Sequence, residues 1–255
     1  MQRQCPLCNG VSAPLDVVDF NKSCMEQRGK YLPLLGVPVY YFLCGECGFC
    51  FAPEFADWSP EDFETKIYNS GYAEVDPDYA GKRPQANARL LLKLFGDRGR
   101  DIRHLDYGGG SGLLCSLLRE ANWHSVSYDP FVDGEMPGDA PGKFDLVTAY
   151  EVFEHVADPK RLASTVSVLL ADDGVILFST LLSDGHIAPR QRLGWWYASP
   201  RNGHISLFSR KSLRILGASQ GFRFGSFSAS FHAFWKTVPP WAEHIIRIRK
   251  RKALP

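Results

Sequence analysis

The chain lacks any apolar run long enough to span a bilayer, and Met1-Gln2-Arg3-Gln4-Cys5 leads straight into a cysteine motif with no secretory leader. Those two absences predict a cytoplasmic protein without stable membrane insertion. Net charge is nearly absent as well, with 29 basic against 28 acidic residues and a formal charge of +1. No global field therefore gathers polyanions, which argues against a nucleic-acid partner. No repeat with a period of about 20–50 residues and no low-complexity tract is visible, which excludes a solenoid. A chain of 255 residues can then bury a full core.

Cysteine is scarce over most of the chain: six of the seven lie in the first fifty residues, and only Cys115 lies beyond. In a reducing compartment such clustering points to metal ligation more than to disulfides. Cys5-Pro6-Leu7-Cys8 and Cys44-Gly45-Glu46-Cys47 are two C-x-x-C knuckles whose thiolates can close one tetrahedral Zn²⁺ site. Cys47 and Cys50 share the same spacing. The residue after a knuckle favours a left-handed backbone, which Asn9 and Gly48 tolerate and Phe51 would not, so the expected ligands are Cys5, Cys8, Cys44 and Cys47. Four thiolates leave no open position, so the zinc is expected to be structural, ordering a zinc-ribbon-like module over residues 1–56.

Glycine concentrates where chemistry is expected. Ile102 to Tyr107 reads as a short buried strand, Leu113 to Ala121 as a helix, and Gly108, Gly109, Gly110 and Gly112 fill the turn between them. Such a turn lets backbone approach a ligand closely, beside the free N–H groups of a helix N-terminus. The dinucleotide pattern Gly-x-Gly-x-x-Gly fails here, because its last position from Gly108 is Leu113. What stands instead is acid-x-Gly-x-Gly-x-Gly from Asp106. About 20 residues beyond the glycines, Val126-Ser127-Tyr128-Asp129 ends a second strand with an acid suited to two ribose hydroxyls. Phe144-Asp145-Leu146-Val147 begins another strand, followed by Glu151-Val152-Phe153-Glu154-His155-Val156, and Leu169 to Thr180 reads as a helix end, a turn and a further strand.

These four motifs, in order over residues 101–180, resemble the class I S-adenosylmethionine-dependent methyltransferases. The resemblance implies an α/β fold: a Rossmann-like seven-stranded sheet with helices on both faces, plus the small N-terminal zinc module. It implies cofactor contacts from Asp106, Tyr107, Gly108, Gly109, Gly110, Gly112, Asp129, Pro130, Tyr150 and Glu151. Residues 57–95 are expected to form a helical linker and cofactor cover, with Ser59-Pro60-Glu61-Asp62 starting one helix and Arg83 to Phe95 forming another. The methyltransferase domain is expected over 96–236, ending in a hairpin of Phe222–Phe227 and Ser230–Trp235. Val132 to Gly142 stands where a third strand would be, and 237–255 is a basic tail.

Methyl transfer from a sulfonium needs alignment and, for some acceptors, a base. His155 and Glu151 follow the fourth strand of the family pattern, and four apart they would share a helical face. Their E-x-x-EH spacing is similar to that of ubiquinone-type O-methyltransferases, which would imply a divalent metal there; the same residues also serve simply as a cap. His204, in the segment Trp195-Trp196-Tyr197 to Phe208, is the second candidate base, with the aromatics either walling an acceptor pocket or covering the core. The reading is methyl transfer to a small molecule, a sugar nucleotide or biosynthetic intermediate. The zinc module is similar to that of sugar C-methyltransferases, whose large C-terminal domain has no counterpart here. An RNA or protein methyltransferase and a non-catalytic cofactor-binding scaffold are the alternatives.

Overall fold

A computed structural model of the chain describes residues 2–133 and 143–246. In chain order its elements are β1 (Arg3–Gln4), β2 (Val11–Asp19), β3 (Pro38–Cys44), β4 (Cys50–Phe51), α1 (Pro60–Lys66), α2 (Tyr72–Val75), α3 (Lys82–Phe95), β5 (Arg103–Tyr107) and α4 (Leu113–Glu120). They continue with β6 (His124–Tyr128), β7 (Phe144–Tyr150), α5 (Pro159–Leu169), β8 (Leu170–Ser179), β9 (Ser206–Leu207), α6 (Arg210–Ser219), β10 (Arg223–Ser226), β11 (Phe231–Trp235) and α7 (Glu243–Ile246). Contacts divide the chain into two units. The first runs to Pro77 and adds Phe153–Ala163 and Thr180–Ser219; the second takes Asp78–Val152, Ser164–Ser179 and the chain from Gln220. The grouping is discontinuous in sequence.

The second unit is an α/β sheet in the order β10-β11-β8-β7-β5-β6, with β6, β5, β7 and β8 parallel and the β10–β11 hairpin antiparallel at one edge. Its central strands are buried on both faces, as parallel strands require, so Leu146, Val147, Ala149, Val175, Ile176, Leu177 and Phe178 form a nearly continuous apolar run. One face packs with Ala88, Leu91 and Phe95 of α3 and Leu114, Cys115 and Leu118 of α4. Six strands are present among the described residues; the segment where the third strand of a seven-stranded sheet would fall, 134–142, lies outside them, as does the basic run after Ile246. The strand order reverses beside β5, so ligands are favoured in the crevice outside the carboxyl ends of β5 and β7. The turn expected at Asp172–Gly174 does not separate α5 from β8. The strand begins at Leu170, and residues 171–174 bulge out between the pairs Phe144–Leu170 and Leu146–Val175.

The first unit carries a five-stranded sheet, β1-β2-β3-β4-β9. Here β9, distant in sequence, pairs antiparallel with β4 through Cys50–Leu207 and Phe51–Ser206. A core of Phe20, Tyr41, Phe55, Ile67, Trp195, Tyr197 and Leu207 packs the unit. Helix α1 starts as its sequence dictates: the Ser59 hydroxyl accepts the Asp62 N–H at 3.2 Å, and the Asp62 carboxylate accepts the Ser59 N–H at 2.9 Å. This capping box satisfies two amides that the first turn would otherwise leave open.

Candidate functional site

Within the second unit, Asp106 is the last residue but one of β5 and is buried. It belongs to a polar chain crossing three strands. The Thr148 hydroxyl donates to Asp106 Oδ1 at 2.5 Å, His104 Nε2 lies 2.9 Å from the Thr148 oxygen, and His104 Nδ1 lies 2.8 Å from Ser125 Oγ. Since Thr148 spends its proton on Asp106, His104 Nε2 must donate and Nδ1 must accept, which fixes a neutral tautomer. Burial agrees, holding His104 down to about 3. Burial also pushes Asp106 up to about 7; the Thr148 hydroxyl opposes that rise and the nearby Asp129 charge adds to it.

The glycine turn then fastens β5 to β6. Gly108 and Gly109 donate to the Tyr128 carbonyl at 2.8 and 3.3 Å, Gly112 donates to Gly109 O at 3.0 Å, and Gly110 donates to Asp129 Oδ2 at 2.8 Å. The glycine amides expected to face a ligand are therefore largely spent inside the protein; their work is to hold the turn. Space explains the glycines. A Cβ on Gly108 would lie 2.6 Å from Val152, and one on Gly109 would lie 2.2 Å from Ser127 Oγ. At Gly110, φ is +54° and a Cβ would meet nothing within 4 Å, so this residue faces open space in a conformation that favours glycine over residues with a side chain.

Asp129 follows β6 with its carboxylate fixed from two sides, Oδ2 by Gly110 and Oδ1 by the Phe131 N–H at 2.9 Å. Each oxygen keeps a second lone pair, enough for a pair of vicinal hydroxyls. Pro130 beside it is exposed, and Tyr107 is buried with its ring 5.5 Å from Tyr128. Tyr150 ends β7 with a buried hydroxyl that has no hydrogen-bond partner, a polar atom left over for a ligand. Burial and the Asp106 charge hold its phenol well above the ordinary range. Next to it, Glu151 adopts φ +54°, donates its N–H to Ser179 Oγ at 2.9 Å and accepts the Ser179 hydroxyl at 2.7 Å. Open space at Gly110, two-acceptor Asp129 and the orphaned Tyr150 hydroxyl fit a polar, ribose-bearing cofactor.

Glu151 and His155 do not share a helical face. The left-handed residue 151 and the short 3-10 turn Phe153–His155 interrupt the expected helix, and Glu151 belongs with β7 and β8 in the second unit. In the first unit His155 meets His204 instead, ring centroids 4.8 Å apart and edge to face. The fully buried Glu154 completes this group, and candidate ligand atoms of Glu154, His155 and His204 lie within 4.8 Å of one another. Glu154 stands in the E-x-x-EH run of the sequence, but as a neighbour of His155 rather than as a candidate base. The Tyr197 hydroxyl donates to Glu154, and the Tyr197 ring packs 4.1 Å from His204. His204 Nδ1 donates to the Tyr197 carbonyl at 2.8 Å, which leaves the basic lone pair on Nε2. Trp195 and Tyr197 belong to the core, and Trp195 stacks on His186 at 4.8 Å.

The four cysteines expected as ligands converge, all Sγ atoms within 4.8 Å of one another. Cys5 and Cys47 are 3.6 Å apart and Cys8 and Cys44 are 3.5 Å apart. Thiolates at about 2.3 Å from a tetrahedral zinc would be about 3.8 Å apart, so these separations fit the ion and are far too long for disulfides. The knuckles are superposable in their bonding: Cys5 N–H donates to Gly10 O and Asn9 N–H to Cys5 O, as Cys44 N–H donates to Phe49 O and Gly48 N–H to Cys44 O. Asn9 and Gly48 have φ of +62° and +72°. Cys50 lies apart in β4, and burial raises its thiol far above the ordinary range.

The sequence model of the methyltransferase domain family matches residues 79–224. The chain belongs to the class I S-adenosylmethionine-dependent methyltransferases. Among curated relatives of this methyltransferase chain, the ubiquinone biosynthesis O-methyltransferase of Idiomarina loihiensis is 29% identical over 112 residues, covering 42% of this chain and 46% of the relative. That of Colwellia psychrerythraea is 40% identical over 92 residues, covering 36% and 37%. The chain thus spans less than half the length of these two relatives. Among solved structures, the magnesium protoporphyrin IX methyltransferase of Synechocystis is 14% identical with a TM-score of 0.42, over 71% of this chain and 95% of that one. An amino-pentose methyltransferase of calicheamicin biosynthesis from Micromonospora echinaspora gives 15% and 0.44, over 67% and 98%.

Proposed function

We propose that this methyltransferase moves the methyl group of S-adenosylmethionine to a small-molecule acceptor. The observation that carries the reading is the Gly110–Asp129 hydrogen bond, which holds a carboxylate with spare acceptor capacity beside a turn facing open space. Asp129 takes the ribose hydroxyls, and Gly108, Gly109, Gly110 and Gly112 let the cofactor approach. Asp106, Tyr107, Pro130, Tyr150 and Glu151 border it at the ends of β5, β6 and β7, with the Tyr150 hydroxyl available to a polar atom.

When bound, the cofactor supplies a methyl group already activated by the sulfonium charge. The chain's work is then alignment and removal of a proton. His204 Nε2 accepts the acceptor's proton, with Nδ1 held by the Tyr197 carbonyl so that the ring keeps its tautomer and direction. His155 and Glu154 support it, and a base of this kind contributes about 10²–10⁴-fold to rate. Cys5, Cys8, Cys44 and Cys47 hold a structural zinc that orders the N-terminal residues and leaves no open coordination position.

Calorimetric titration with S-adenosylmethionine and its demethylated product tests the cofactor, and labelled cofactor with a metabolite extract, followed by mass analysis, identifies the acceptor. No binding of either nucleoside would overturn the reading. A labelled RNA or protein in place of a metabolite would transfer it to a polymer substrate. His204→Ala should lower turnover while leaving cofactor affinity unchanged; equal turnover would remove His204 from the chemistry.

A further inference from the structure

His204 lies on a stretch with little regular structure of its own. Between β8 and β9, residues 180–205 carry a 3-10 turn at Pro200–Asn202 and an isolated bridge from Leu182 to Phe208. The strand β9 is two residues long and pairs with the equally short β4. So short a ladder is marginal by itself, whereas proton transfer needs a ring held to a fraction of an ångström, so other bonds must fix the segment.

Those bonds come from both flanks of the second cysteine knuckle. The Tyr41 hydroxyl donates to the His204 carbonyl at 2.7 Å, and the Ala52 N–H donates to the Ile205 carbonyl at 2.9 Å. The rings of Phe49 and Phe208 lie 5.0 Å apart. The same segment holds the turn that carries His155: the Ile205 N–H donates to the Glu154 carbonyl at 2.9 Å, and the Ser206 hydroxyl to the Val156 carbonyl at 2.7 Å.

Ser209 ties the end of this segment to the knuckle itself. Its buried hydroxyl donates to the Cys47 carbonyl at 2.5 Å and accepts the Ser212 N–H at 3.0 Å in the first turn of α6. The peptide joining Cys47 to Gly48 is therefore gripped twice, by Ser209 at its C=O and by the Cys44 carbonyl at its N–H, 3.0 Å away. Gly48, whose φ of +72° suits the knuckle, also makes the room, since a Cβ there would lie 3.1 Å from Ser209 Oγ. Lys211 adds a bond from its ammonium to the Glu46 carbonyl inside the same knuckle. We propose that Ser209 is a positioning residue: it locks the segment 204–209 to the peptide that follows the zinc ligand Cys47, so that a zinc-loaded knuckle sets the direction of the His204 ring. The inference rests on the reading of His204 as proton acceptor, and it gives the four-cysteine site a part in the reaction through the backbone alone.

The test is Ser209→Ala in the full zinc-loaded chain, with Ser59→Ala as the control that loses a helix cap elsewhere in the same unit. Nitrogen NMR of His204, assigned with His204→Gln, should show one tautomer, protonated at Nδ1 toward the Tyr197 carbonyl, in wild type and in Ser59→Ala. Ser209→Ala should show a mixture of tautomers. Label transfer from S-adenosylmethionine into the metabolite extract should slow by about tenfold in Ser209→Ala with KM for the cofactor unchanged, since a misplacement of about 1 Å costs up to about 10²-fold. Coupling is reciprocal, so zinc affinity against a competing chelator should fall by about fivefold in Ser209→Ala, as the loss of one hydrogen bond implies. A wild-type tautomer or a wild-type zinc affinity in Ser209→Ala overturns the proposal. So do equal changes in Ser59→Ala, or full turnover in Ser209→Ala where His204→Ala is impaired. If His204→Ala itself keeps full turnover, the proton-acceptor reading fails, and the tautomer and zinc measurements still decide whether Ser209 sets the ring.

Discussion

Replacing Cys47 with serine, and separately Cys50 with serine, separates two zinc assignments that have the same C-x-x-C spacing. Cys47 lies 3.6 Å from Cys5 within the four-sulfur cluster, whereas Cys50 is fully buried in β4, paired with Leu43 and Leu207. A structural zinc contributes about 10–16 kcal/mol in small zinc-binding peptides, so one of four ligands accounts for about 3–4 kcal/mol, or about 10²–10³-fold in affinity. Cys47→Ser should therefore lose its metal to a chelator that leaves wild-type protein loaded. Cys50→Ser should retain zinc but bury a hydroxyl where a thiol packed, at a cost of about 1–3 kcal/mol. That corresponds to a fall of about 2–12 °C in melting temperature for a domain of this size. Elemental analysis after chelator dialysis, with a thermal melt of the same samples, reads both quantities. Zinc retained by Cys47→Ser and lost by Cys50→Ser would refute the assignment.

Three further outcomes follow from the same geometry. Asp129→Asn places an amide against either the Gly110 or the Phe131 N–H and removes a ribose acceptor; with charged hydrogen bonds worth about 1.5–3 kcal/mol each, calorimetry should give cofactor binding at least about tenfold weaker, with zinc content unchanged. Asp106 and His104 oppose each other in pH dependence. Asp106, raised to about 7, binds more protons folded than unfolded and lowers stability as pH rises from about 4 to 7; His104, lowered to about 3, does the reverse between about 3 and 6.5. Denaturant melts of wild type should thus show little net slope from these two groups between about pH 4 and 6.5, while Asp106→Asn should lose stability on acidification below about 6.5, by up to about 1.4 kcal/mol per pH unit; a flat profile in the variant would contradict the buried network. Ser59→Ala removes half of the capping box and should cost about 1 kcal/mol in a denaturant melt, restored by Thr.

The amino-acid order by itself determined whatever rests on local rules. The alternation of a buried strand, a glycine turn and a helix at residues 102–121, the acid at 129, the cap at Ser59 and the left-handed positions 9 and 48 all follow from backbone sterics and short-range hydrogen bonds, and each has the same form in the structure. That Cys47 rather than Cys50 joins the cluster with Cys5, Cys8 and Cys44 was legible for that reason, since φ at Gly48 is a property of one residue. Tertiary structure decided what depends on partners far apart in the chain. It spent the glycine amides on Tyr128 and Asp129, set Glu151 against Ser179, and joined His204 to Glu154 and His155 across about fifty residues of sequence. It also drew β9 onto β4, so that segments following β7 and β8 pack with the N-terminal strands. Helical spacing cannot foresee a left-handed Glu151, because the bonds that stabilise it come from β8, and no local propensity encodes the far side of a sheet.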